Sequence, residues 1–120
     1  MDLARFKNLK LPQGFILLGI QLVTDPMRDA IGRPALARAV IEGNTVSIEL
    51  AAAQTPDELS VSIYHELLEA MSVGVQSAPR AVWDLNEAGF EQAAQDAHRF
   101  HGLANPRNVL TFLSEFGFTE

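Results

Sequence analysis

The stretch SIYHELLEAMS, residues 62–72, decides how the chain is read. With Leu59 just upstream, its apolar positions recur at helical spacing: Leu59, Ile63, Leu67, Ala70 and Met71 form one stripe, which Tyr64 and Leu68 widen. Opposite lie Glu58, Ser62, His65, Glu66, Glu69 and Ser72. Residues four apart stand one above the other on a helix, so His65 and Glu69 present a nitrogen and an oxygen toward one point, with Glu66 one step round. Polar stripes on amphipathic helices usually face water, and that reading stands beside any chemical one.

Signals on either side bound this helix and arrange the remaining elements. Thr55-Pro56-Asp57-Glu58 combines an N-cap threonine, a proline at the first helical position and the reciprocal glutamate of a capping box, which predicts a helix over about 56–73. Gly74 ends it and Pro79 forbids a long continuation. Upstream, Glu42-Gly43-Asn44 separates two alternating runs, and Val46, Ile48 and Leu50 point away from Thr45, Ser47 and Glu49, as in the half-buried strand of a hairpin. Residues 15–23, rich in branched side chains, predict a buried strand, and Thr24-Asp25-Pro26 closes it and opens a short helix toward Ile31. Downstream, Asp84-Leu85-Asn86-Glu87 starts a helix that continues to about His101, with Gly102 as its stop. Asn105-Pro106 opens a third, whose packing face is Val109, Leu110, Phe112, Leu113 and Phe116, before Gly117. Tyr64 and Trp83 are expected in the core. Strands first and helices second make an α+β fold, and 120 residues suit a single domain over 1–120.

Composition narrows the function. Apolar residues make up 48% of the chain and charged residues 20%, as in a globular protein and unlike a disordered one. Fifteen acidic residues against nine basic ones give a net charge of −6, which repels a phosphate backbone, so no nucleic-acid partner is expected. With no cysteine, disulfides and thiolate metal sites are excluded, His, Asp and Glu remain as strong ligands, and a cytoplasmic setting is expected. FILLGIQLV, after Arg5, Lys7 and Lys10, faintly mimics a secretory signal, but Pro12 and Gly14 separate the charges from the run and no small-residue cleavage site follows. No stretch approaches the roughly twenty apolar residues of a membrane span.

A second polar stripe lies in DLNEAGFEQAAQDAHRFHG, residues 84–102. There Glu87, Glu91, Gln95 and His98 recur at helical spacing, backed by Phe90, Ala93, Ala94 and Ala97. Its plain alternative is that Glu87 only completes a capping box. YHELLEA and LNEAGFE, in that order after a strand, resemble the HExxH and NExxSD motifs of the gluzincins, a group of zincin metallopeptidases. The resemblance covers about residues 36–101 and implies a small zincin-like domain. In it His65, Glu69 and Glu87 hold one divalent metal, Glu66 is the general base and Glu91 orients His65. The strand at 45–50 would then line a substrate cleft.

Two departures stand out. Glu69 takes the place of the family's second histidine, and Phe90 that of its serine. Two carboxylates and one imidazole cancel the charge of a dication, so the metal polarises water less than a His, His, Glu set would allow. Zinc is the first expectation, and oxygen-rich ligation also suits manganese, iron or magnesium. His98 lies about 16 Å along the helix from Glu87, too far to join it at one ion; the resemblance implies for it a catalytic role at the cleft edge, toward a substrate oxyanion. His98 and His101 share a helical face and form a second, weaker metal candidate, against which His101 reads as a C-terminal cap. The function expected is hydrolysis of a peptide or amide bond in a peptide or protein substrate. The alternatives are a catalytically inactive zincin-like binding or accessory module, and a helical domain whose acidic stripes only solvate it. A homo-oligomer or a partner completing the cleft is an expectation from size alone.

Overall fold

The computed structural model describes residues 1–29 and 31–119. Its regular elements are β1 (Leu9–Lys10), β2 (Ile16–Val23), β3 (Met27–Arg28), β4 (Pro34–Ala35), β5 (Ala37–Glu42), β6 (Thr45–Ala51), α1 (Pro56–Gly74), α2 (Glu87–His101) and α3 (Pro106–Glu115). The fold is α+β: a four-stranded mixed sheet in the order β1-β2-β6-β5, followed by three helices.

The hairpin forms where the alternation predicts it. β5 and β6 pair antiparallel with Ala39 opposite Ile48, and Gly43 makes the turn with a φ of 60°, a conformation that glycine adopts without steric cost. Val46, Ile48 and Leu50 are wholly buried. β2 runs parallel to β6, with a register shift between Leu17 and Gly19. The buried strand expected over 15–23 is only half buried, because Leu17 and Ile20 point inward while Leu18 and Leu22 are exposed. The reason is layering: the helical side covers one face of the sheet and leaves the other open.

α1 starts on the capping box, with Thr55 N–H donating to Glu58 Oε1 at 2.9 Å and Glu58 N–H to Thr55 Oγ1 at 3.2 Å. Its apolar stripe, Leu59 through Met71, is buried as the periodicity requires. Gly74 lets the helix end approach the sheet, since an added Cβ would lie 3.2 Å from the Phe15 ring. Gln54 Nε2 donates to the Leu36 carbonyl at 2.9 Å, and Gly74 lies beside Ile41, so α1 runs alongside β5 in the same direction. α2 is capped by Asn86, whose Oδ1 accepts from Gly89 N–H, and α3 by Asn105. Tyr64 is in the core, edge-on to Phe112 at 5.2 Å, with its hydroxyl donating to the Gly102 carbonyl.

Two expectations fail. After Thr24-Asp25-Pro26 there is no short helix: β3 pairs antiparallel with β4, and Ala30 lies outside the described residues. Asp29 decides this, because its Oδ1 accepts from Ile31 N–H and Arg33 N–H, and such local side-chain bonds compete with helical ones. Trp83 is not core but 65% exposed. The turn of 3-10 helix at Arg80–Val82 buries Val82 and turns Trp83 outward, where its indole N–H donates to the Ala78 carbonyl and Arg80 lies over the ring. No helix among the described residues is long and apolar enough to cross a membrane.

Candidate metal centre

The polar stripe of α1 lines a cleft. α2 packs along α1 and β5 stands on the other side, leaving a cleft of about 950 Å³ between the helix pair and a wall made of β5 and the β3–β4 segment. His65 opens onto this cleft yet is only 8% exposed. Two bonds of the polar stripe remain structural: Ser62 Oγ donates to Gln54 Oε1 and Ser72 Oγ to the Leu68 carbonyl.

Around His65 the two helices bring together the residues that the motifs select. His65 Nε2 lies 3.2 Å from Glu87 Oε2, 3.5 Å from Glu69 Oε2 and 4.0 Å from Glu66 Oε2. His65 Nδ1 is 2.9 Å from Glu91 Oε1, and Gln95 Nε2 donates to Glu91 Oε2 at 3.0 Å. Asn86, as the N-cap of α2, leaves Glu87 at the first helical position, so its carboxylate turns to His65 and completes no capping box. The role of Gln95 is not legible from charge patterns, although its spacing of four from Glu91 is the available signal.

The electrostatics follow from crowding. Burial pulls the His65 imidazole down, but hydrogen bonds to Glu69 and Glu91 and the charges of Glu66 and Glu87 outweigh it and hold the ring up at about 9. Burial pushes Glu66 up to about 7, against the pull of His65 and with the repulsion of Glu69, Glu87 and Glu91. Glu69 is held below the usual carboxylate range, chiefly by its hydrogen bond with His65. Glu87 is held above that range, chiefly by its hydrogen bond with Glu69.

The donor set fits a metal. One ligand atom each from His65, Glu69 and Glu87 lies within 4.8 Å of the other two. Ligands about 2.1 Å from a tetrahedral ion stand about 3.4 Å apart, close to the 3.2 and 3.5 Å found from His65 Nε2. Glu91 on Nδ1 favours the tautomer that leaves the Nε2 lone pair toward the carboxylates. Glu87 is the most exposed of the three, with 74% of its side chain accessible.

The other histidines stand apart. His98 Nδ1 is 2.8 Å from Ser60 Oγ and its Nε2 3.5 Å from Asp57 Oδ1, and it does not line the cleft, so the structure does not bring it to the position expected for an oxyanion contact. Ser60 is fully buried and also accepts from Ala104 N–H, tying α1 to the loop before α3. His101 Nε2 pairs with Glu115 of α3 at 2.9 Å, so His98 and His101 turn to different partners and form no shared site. Sequence reasoning also missed the far wall of the cleft, where Asp29, Arg33 and Leu36 stand. Compared with known protein families, curated proteins and solved structures, the chain matches none.

Proposed function

We propose that the protein is a small zincin-like, metal-dependent hydrolase of peptide or amide bonds, with His65, Glu69 and Glu87 as its metal ligands. The observation that carries the reading is the convergence of those three residues, from two helices, on a point with ligand-like spacing. When bound, a divalent ion supplies Lewis acidity toward a substrate carbonyl and makes water easier to deprotonate. Zinc suits the imidazole, while two carboxylates widen the choice to manganese, iron or magnesium.

The residues of the chain have separable roles. Glu66, held at about 7, is suited to take a proton from water in the cleft and return it to a leaving amine near neutral pH. Glu91 accepts from His65 and fixes its ring, and Gln95 fixes Glu91 in turn. β5 is the edge strand of the sheet and borders the cleft, so its unpaired backbone edge suits an extended peptide added as a further strand. His98 keeps no part in this proposal. A cytoplasmic setting agrees with the absence of cysteine.

One observation favours the second reading, a catalytically inactive module on the same scaffold. Among the described residues no buried side-chain nitrogen or oxygen lacks a partner, so no buried polar atom of the cluster calls for an ion. Metal content of protein purified without chelator, with Glu69→His and His65→Ala beside it, separates the two. Metal in the parent and none in His65→Ala supports the hydrolase site. An empty parent with a filled Glu69→His variant supports the inactive module, and turnover of a peptide library by the loaded parent then tests catalysis.

A further inference from the structure

The cleft carries a charge imbalance that the proposed chemistry leaves unused. Asp57 and Glu58 face it from the first turn of α1, and Glu66 and Glu91 from deeper in. Only two arginines, Arg33 and Arg38, and no lysine line it among the described residues; both are committed, and the His65 ring is taken up by Glu69, Glu87 and Glu91. Arg33 Nε lies 2.8 Å from Asp29 Oδ2 on its own wall, and Arg38 pairs with Glu49 on β6. A dication would offset Glu69 and Glu87, which leaves the other four carboxylates opposed by no free arginine or lysine. Glu58 spends one oxygen on the capping bond and keeps its charge, and Asp57 is 79% exposed with only His98 near it, at 3.5 Å.

The same end of the cleft has an apolar side. The bond from Gln54 to the Leu36 carbonyl holds Leu36 beside the start of α1, and Leu36 and Ile31 are 61% and 73% exposed on the facing wall. Carboxylates on one side and aliphatic surface on the other match a lysine or arginine side chain, which lays its stem on apolar surface and keeps its head on polar groups. Glu58 precedes His65 by two helical turns, about 10 Å at roughly 1.5 Å per residue, or about three residues of extended chain.

We infer that the cleft selects cationic peptides, with a lysine or arginine about three residues from the bond held near His65, its stem on Leu36 and its charged head at Asp57 and Glu58. The inference rests on reading this cleft as a peptide site. It does not rest on a metal being bound, because Asp57 and Glu58 lie outside the proposed ligand set.

The test compares two labelled peptides with the same apolar centre, one carrying lysines three residues to either side and the other glutamates. Binding is read by fluorescence anisotropy on the full chain, with and without chelator, and metal uptake is titrated separately. Two exposed charge contacts lead us to expect about tenfold tighter binding of the lysine peptide at low salt. The preference should fade by 1 M salt, where the screening length is about 3 Å, and shrink in Asp57→Asn. Equal binding, a preference for glutamate or no binding of either peptide would overturn it. A chain that takes no metal but keeps the lysine preference sinks the metal site alone, and a chain that takes metal without the preference sinks the substrate class alone.

Discussion

Metal binding and folding should be linked here through protons, and both the size and the pH dependence of the linkage follow from the site. The perturbation is zinc, or manganese in a parallel series, added to chelator-stripped protein at a hundred times its dissociation constant. Ligand that binds only the folded chain at that excess stabilises it by about 2.7 kcal/mol. An unfolding entropy of about 2.1 cal/mol/K per residue gives roughly 250 cal/mol/K for a chain of this length, so the midpoint should rise by about 11 °C. Scanning calorimetry reads this directly.

The pH dependence is the sharper part, because the ion must displace a proton from His65. With the imidazole held at about 9, the ion at pH 7 competes with a proton bound about a hundredfold in excess of the free base. Apparent affinity should therefore rise by about tenfold per pH unit between pH 7 and 9 and level off above that. An affinity that is flat from pH 6 to 8, or a midpoint that zinc and manganese both leave unmoved, would refute the convergence of His65, Glu69 and Glu87 on one ion.

Three further outcomes are expected. In chelator, stability should fall as pH rises: the raised carboxyl of Glu66 loses its contribution from about 4.5 to 7 and the raised imidazole of His65 from 6.5 to about 9, so the urea midpoint should be lower at pH 9 than at pH 6.5. Ser60→Ala removes the acceptor of the buried Ala104 N–H and the partner of His98, with an expected loss of about 1–3 kcal/mol and unchanged metal uptake; an unaltered urea midpoint would contradict the tie drawn between α1 and the loop before α3. Thr55→Ala breaks one arm of the capping box and should lower stability by about 1 kcal/mol in the same titration, a result that a midpoint equal to the parent's would exclude.

Local chemistry made much of this fold legible in the sequence. The capping box at Thr55 and Glu58, the alternation through Val46, Ile48 and Leu50 and the four-residue step from His65 to Glu69 each depend on neighbours within a few residues, and each appears where its pattern places it. Elements decided by a competing contact did not. The segment after Pro26 reads as a helix start, but the Asp29 side chain binds the backbone of Ile31 and Arg33 and draws it into a turn. Trp83 reads as core from its apolar bulk, yet the register of one short 3-10 turn gives the interior to Val82.

The site itself lies between these cases. Glu66 and Glu58 belong to the same polar stripe of α1, yet Glu66 is carried to about 7 by burial while Glu58, exposed in the first turn, is held below the usual carboxylate range by its capping bonds with Thr55. Docking of two helices depends on the side chains between them, and small ones let the axes approach. On α2 the buried positions are Phe90, Ala94 and Ala97, so a large ring and two methyl groups set how closely Glu87 and Glu91, on the adjoining face, reach His65. The carboxylates name a possible chemistry, but the alanines determine whether the groups meet. That is why charge spacing along either helix could suggest a shared point between them without fixing its dimensions.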